Sequence, residues 1–281
     1  MTEVAKQPVV FLSHGGGPSF FMSYKDSGGA KSFLKGMDRD SSAAHYLKNM
    51  ATKENMQSCK AILVISAHWE EKTVTVQTTP QPDLYYDYYG FPPETYKLNW
   101  PAKGAPELAQ KTRALLEAKG IKCATDGERG YDHGVFVPLL LVFPKPKVPV
   151  FQLSLDASLL PEKHLALGEA LAPLREEGVL IIGSGFTTHR MGGPAPPEYG
   201  KKFQDWLHDV LKNPDMTSEQ RRERLASCHR DQRVKDAHPR IEHFLPFLVV
   251  MAAAGYSSGK VLFSGAVIKG EALLEHYMFD A

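Results

Sequence analysis

Three short apolar runs each end near a histidine, and this pattern constrains the chain more than any other. Val9-Val10-Phe11-Leu12-Ser13 leads to His14. Ala61-Ile62-Leu63-Val64-Ile65-Ser66-Ala67 leads to His68-Trp69. Val179-Leu180-Ile181-Ile182-Gly183-Ser184-Gly185 is followed by His189. Near-continuous apolar runs of this length read as strands buried on both faces, the habit of parallel sheets in α/β proteins. Ligands of an open α/β sheet bind outside the carboxyl ends of its strands. The expectation is that these imidazoles meet at that edge and hold a metal.

The rest of the chain supplies the alternating helices that such a sheet needs. Helical patterns cover Ser41–Lys53, Pro106–Lys119 with Leu108, Leu115 and Leu116 on one face, Val135–Phe143, Pro161–Glu177, Lys201–Leu211 and 240–254. Further strands are expected at 73–79, 148–155 and, last, 260–264. Pro106 suits a first helical turn, and Gly120 and Gly178 suit helix stops. The strand–helix–strand run from 148 to 184 implies a right-handed crossover and parallel pairing. Thr217–Asp236 is highly charged and reads as a solvated helix, because its arginines are interleaved with acids. Residues 83–93, Asp-Leu-Tyr-Tyr-Asp-Tyr-Tyr-Gly-Phe-Pro-Pro, form an ordered aromatic loop: a packed surface feature or the wall of a pocket. No repeat or linker divides the chain, so residues 1–281 are expected to form one α/β domain.

Composition narrows the function. With 43% hydrophobic residues the chain has ample core, and a net charge of +1 gives no bulk attraction to nucleic acid or a membrane surface. No stretch is long enough to span a bilayer, and Met1–Gln7 has no apolar signal region. The three cysteines, Cys59, Cys123 and Cys228, are far apart and form no CxxC pair. A disulfide framework or thiolate zinc site is therefore not expected, and the cytoplasm is the expected compartment. His14-Gly15-Gly16-Gly17-Pro18 lacks the spacing of a nucleotide-binding loop. Nothing in the sequence sets an oligomeric state.

Of eleven histidines, His45, His164, His208, His229 and His276 lie in polar or helical contexts and read as structural. His14, His68, His133, His189 and His243 differ. They follow strands or stand at helix starts, and Asp132 and Glu242 precede two of them. Imidazole and carboxylate ligands from separate elements suit Zn, Fe or Mn, and two histidines with a carboxylate suit oxygen-activating non-haem Fe(II). No HExxH is present, so the helix-borne zinc protease pattern is absent.

Five motifs carry a family resemblance: Ser13-His14-Gly15-Gly16-Gly17-Pro18, Ser66-Ala67-His68-Trp69, Asp132-His133-Gly134, Gly183-Ser184-Gly185 with His189, and His238-Pro239 with Glu242-His243-Phe244-Leu245-Pro246. In this order, over about residues 8–265, the chain resembles the class III extradiol ring-cleavage dioxygenases, DOPA 4,5-dioxygenase-like branch. The resemblance implies an αβα domain with a mostly parallel or mixed sheet flanked by helices. It implies a non-haem metal held by His14, His68 and a third ligand, His243 with Glu242 as the alternative. It also implies His189 as acid/base near the metal and His133 as a second active-site histidine. Fe(II) is the metal expected for activity, Zn(II) is a plausible bound metal, and a catechol such as DOPA and dioxygen are the small-molecule partners. The expected division of labour is His189 as base and His133 as acid or oxygen-positioning group. Tyr85, Tyr86 and Tyr88 are candidates to line the ring pocket. The chain departs from the plant branch at Arg190-Met191-Gly192-Gly193 and at Leu84-Tyr85-Tyr86-Asp87, which leaves the catechol less defined than the metal centre. The competing reading is a zinc-binding relative on the same fold, hydrolytic or non-enzymatic.

Overall fold

The apolar runs pair as the central strands of an eight-stranded mixed sheet. A computed structural model of the chain describes residues 5–23, 34–191, 194–267 and 272–280. Gly192 and Gly193, and Met1–Val4 of the polar N-terminus, lie outside the described residues. The strands are β1 (Val9–Ser13), β2 (Ala61–Glu71), β3 (Thr75–Gln77), β4 (Ala124–Asp126), β5 (Val150–Asp156), β6 (Val179–Gly185), β7 (Lys260–Val267) and β8 (Ala272–Phe279). Their order across the sheet is β4-β3-β5-β2-β6-β1-β8-β7. β5, β2, β6 and β1 form a parallel quartet, and β8 closes antiparallel onto β1 with β7 outside it. Register brings Ser13 opposite Gly185 and Ser66 opposite Ser184, so the three apolar runs reach the same level of the sheet.

The helices are α1 (Ser42–Lys53), α2 (Pro106–Ala118), α3 (His133–Val142), α4 (Pro161–Leu171), α5 (Pro173–Glu176), α6 (Tyr199–Lys212), α7 (Ser218–Ala226), α8 (Gln232–Ala237) and α9 (Leu245–Ala253). Side chains alternate across a strand, and β6 shows what lies on each face. A Cβ on Gly183 would stand 2.4 Å from the Pro246 carbonyl oxygen of α9. The intervening Ser184 donates its hydroxyl to the Gly134 carbonyl of α3. Helices therefore cover both faces, the αβα arrangement. All nine residues of α9 are buried, and each buried Leu, Phe or Val there contributes about 1.5–3 kcal/mol. α4 packs on α9 through Gly168, where an added Cβ would lie 2.1 Å from the Val249 carbonyl oxygen.

Several expectations change in detail. β2 does not stop before His68. It runs on to Glu71 through a register shift between Ile65 and Glu70, so His68 lies within the irregular end of the strand. β5 and β6 are parallel, but β2 lies between them. The helix expected over 161–177 breaks at Ala172, because Pro173 has no N–H to continue it. On α2 the buried face is Ala109, Thr112 and Leu116, while Leu108 and Leu115 are half-buried. The charged segment 217–236 is two helices joined by a 3-10 turn. Its Arg221 is buried and donates to the Val210 and Asn213 carbonyls. The last apolar helix begins at Leu245, and 238–244 is the turn before it. The final strand is β8 and not 260–264. It is buried along its whole length.

Two predictions follow from this packing. A Cβ on Gly185 would lie 2.1 Å from the His243 carbonyl oxygen. Gly185→Ala is therefore expected to destabilise the fold by about 1–3 kcal/mol or more, read as a lower urea midpoint. The second concerns His238 and His276, both fully buried away from the sheet edge. His238 donates Nε2–H to the Thr187 carbonyl, and His276 Nδ1 accepts from the Ser13 N–H. Burial pushes each down to about 3. Between that value and the ordinary one near 6.5 the unfolded chain binds more protons, so stability falls with acidification. The pair should account for a loss on the order of 4 kcal/mol between pH 7 and pH 5; equal urea stability at both values would contradict this.

Candidate metal centre

His14 is the residue after β1, and its N–H donates to the Gly185 carbonyl, 3.0 Å away. His243 reaches the same edge from the turn before α9. Its carbonyl accepts from the Phe186 N–H at 3.0 Å, a close approach that the missing Cβ of Gly185 permits. The Nε2 of His68 lies 3.1 Å from that of His14 and 3.3 Å from that of His243. Elements separated by up to 229 positions in the chain, His14 to His243, thus bring three imidazole nitrogens to one point.

The outer nitrogens of these rings decide what the inner ones present. His243 Nδ1 is 2.8 Å from Glu242 Oε1, and a carboxylate can only accept, so Nδ1 carries the hydrogen. His14 Nδ1 is 3.0 Å from Ser184 Oγ, whose own hydrogen goes to the Gly134 carbonyl; here too Nδ1 donates. His68 Nδ1 faces Asp87 Oδ2 at 3.6 Å. With these tautomers all three Nε2 atoms direct lone pairs at one another. Burial, reinforced by the neighbouring imidazoles, pushes His14 and His243 well below the ordinary histidine value; burial, then the charge of His133, pushes His68 to about 3. The cluster is therefore neutral near pH 7 and cannot relieve the lone-pair repulsion by taking up protons. A divalent cation fits this donor set, and the outer partners are those that orient metal-binding histidines.

Two further imidazoles flank the cluster. The His133 ring lies 3.9 Å from the His68 ring, and its Nδ1 donates to Asp87 Oδ1 at 2.8 Å. The His189 ring stacks on His243 at 3.5 Å, with its Nδ1 3.5 Å from Glu242 Oε1. All five histidines line one cavity of about 360 Å³, in the size range of small-molecule sites, whose other walls include Gly15–Gly17, Met37, Tyr88, Tyr89, Phe91, Phe186 and Met191. A second cavity of about 320 Å³, beside Trp100 and Phe143, is lined by no histidine or carboxylate.

The structure therefore brings together His14, His68, His133, His189 and His243. At the point of convergence it places the His243 ring, while Glu242 lies on the outer side of that ring. It does not bring Tyr85 or Tyr86 to the cavity. Tyr85 is half exposed beneath the Arg129 guanidinium, and Tyr86 donates its hydroxyl to the Leu98 carbonyl and packs on Phe136. Sequence reasoning missed Asp87 and Ser184 as partners of His133 and His14, since no local spacing links either pair. It also missed Tyr89, a largely exposed ring that lines the cavity.

A cavity at the carboxyl edge of the parallel strands, with five converging histidines, defines a metal-dependent enzyme of the α/β class. Residues 8–271 match the family described as the catalytic LigB subunit of aromatic ring-opening dioxygenase, and the chain belongs to this family of extradiol ring-cleaving dioxygenases. It is 40% identical over 254 residues to a Beta vulgaris protein named 4,5-DOPA dioxygenase extradiol, covering 88% of this chain and 87% of that one. It is 37% identical over 267 residues to the Portulaca grandiflora protein of the same name, covering 91% and 89%. A crystal structure of an uncharacterized Escherichia coli K12 protein superimposes with a TM-score of 0.74 at 24% identity, over 98% of this chain and all of that one, and has the same fold. Among the described residues no helix is long and apolar enough to cross a membrane.

The geometry separates His243 from Glu242 experimentally. His243→Ala is expected to abolish stoichiometric binding of Co(II) or Zn(II) to apo protein. Glu242→Gln should keep one site and weaken it about 10- to 100-fold, the usual effect of losing an outer partner. Titration calorimetry on both variants checks this; full binding by the His243 variant would remove that ring from the site.

Proposed function

We propose that this chain cleaves the aromatic ring of a catechol, DOPA or a close relative, next to its paired hydroxyls, using Fe(II) held by His14, His68 and His243. The observation that carries the reading is the convergence of three neutral imidazole Nε2 atoms beside two further histidines in one cavity. When bound, Fe(II) supplies the electron transfer between ring and dioxygen that side chains cannot provide. Zn(II) fits the same donors but has no redox chemistry. The names of the plant relatives support DOPA as the first compound to test.

The protein's own contribution is proton handling and exclusion of water. His189, stacked on His243 and backed by Glu242, takes a proton from a catechol hydroxyl. His133 carries its hydrogen on Nδ1, bonded to Asp87, so its Nε2 is open to the cavity to take up a proton and return it to a substrate oxygen. Tyr88, Phe91 and Phe186 give the cavity apolar walls. One continuous sheet supports residues 1–281 as a single catalytic domain. The cysteines support a reducing compartment, the cytoplasm. All three are buried and free, with thiols pushed up to about 11, 11 and 12 by burial.

Apo protein loaded anaerobically with Fe(II), mixed with a panel of catechols including DOPA and then exposed to oxygen, should consume oxygen and give a yellow ring-opened product. No uptake with any catechol at one bound Fe(II) per chain would overturn the reading. His189→Ala should keep the metal and lower kcat about 10²- to 10⁴-fold, the range of a general acid–base group; near-normal turnover would remove His189 from that role.

A further inference from the structure

The aromatic loop is built to present Asp87. Its two neighbours in sequence are fixed on either side: Tyr86 donates its hydroxyl to the Leu98 carbonyl and Tyr88 to the Thr95 carbonyl, both at 2.7 Å. Both rings pack against Phe136 of α3. The backbone is held as well, since the Tyr85 N–H donates to the Tyr131 carbonyl at 2.7 Å and the Asp87 N–H to the Tyr85 carbonyl at 3.0 Å. Between these anchors the Asp87 side chain turns into the cavity. Its Oδ1 accepts two hydrogen bonds from one residue, the backbone N–H and the ring Nδ1–H of His133, each at 2.8 Å. Its Oδ2 faces Nδ1 of His68 at 3.6 Å. Two bonds accepted by one oxygen fix both where α3 begins and how the first ring on it is turned.

We infer that Asp87 is a positioning residue: it holds the His133 ring with Nε2 open to the cavity and Nδ1–H bound, and it aligns that ring with His68. This rests on the ring-cleaving role proposed above. Without the carboxylate the His133 ring has no acceptor to select one tautomer, so a share of the molecules would present Nε2–H, which cannot accept a proton. Asn at this position retains an oxygen for both His133 bonds but no charge, whereas Ala retains neither.

Asp87→Ala, His133→Ala, the double variant and Asp87→Asn test this. With saturating Fe(II) and catechol, Asp87→Ala should lower kcat about 10- to 100-fold, the scale of an outer partner's loss, with a much smaller change in KM. In the His133→Ala background the same change should cost less than about threefold, because residues acting as a unit are non-additive. Asp87→Asn should recover at least part of kcat. A readout independent of turnover is nitrogen-15 NMR of histidine-labelled, Zn(II)-loaded protein. His133 should carry its hydrogen on Nδ1 in the wild type and Asp87→Asn, and on both nitrogens in exchange in Asp87→Ala. Full additivity in the cycle, or an unchanged His133 tautomer in Asp87→Ala, would overturn the inference. If the Ala variant does not fold, the inference stands on the Asn variant: a wild-type tautomer supports it and a mixed one overturns it. If the wild type turns over no catechol, the proposed function fails while the NMR comparison still decides the role of Asp87.

Discussion

Three imidazole lone pairs aimed at one point in a cavity repel one another, and much of the structure keeps them there. His14, His68 and His243 cannot escape by protonation, because burial and mutual charge hold them neutral. Nor can they rotate freely. Glu242 and Ser184 hold the outer nitrogens of His243 and His14 at hydrogen-bonding distance, and Asp87 faces that of His68. Such a donor set is organised for a cation, since a positive charge turns the same arrangement from unfavourable to strongly favourable.

β6 makes that organisation possible although it contributes no ligand of its own. Gly183 and Gly185 face the α9 side and lack the side chains that would hold the chain near Pro246 and His243 away. Ser184 between them points the other way and fixes His14 through its hydroxyl. Small residue, hydroxyl, small residue is thus one device with two outputs. One face admits the backbone that carries His243, and the other sets the tautomer of His14. Both outputs depend on the alternation of a strand, so a helix could not carry them at this spacing.

What could be read from sequence divides along the same physical line. The parallel core was legible because β1, β2, β5 and β6 are buried on both faces and show as apolar runs. The five histidines were legible because each follows a strand or precedes a helix. β8 was not, because Glu275 and His276 interrupt its apolar run. The Glu275 carboxylate is fully buried, but it is served by Gln204 and by the Tyr277 hydroxyl, partners that only the fold brings near. The Arg221 misreading has the same origin, since its guanidinium is satisfied by carbonyls of a neighbouring segment. For the tyrosines of the aromatic loop the composition left two roles open, packed surface and pocket wall. Tyr86 anchors the loop from outside the cavity, Tyr88 anchors it while lining the cavity, and the single carboxylate between them faces in.

The two carboxylates give the site an internal symmetry that no single motif reveals. Asp87 stands between His133 and His68, and Glu242 between His189 and His243. In each set one imidazole joins the converging cluster and the other faces the cavity beside it. A change in charge on either cavity-facing ring is therefore felt, through a shared carboxylate, by a ring that faces the metal position. The separation in low dielectric is a few ångströms, where such coupling is strong. In the proposed function, proton transfer and the electronic character of the metal position are therefore coupled. Asp87 arrives on an anchored loop and Glu242 on the turn before α9, so the coupling is set by two separate elements and can be altered on one side while the other is kept.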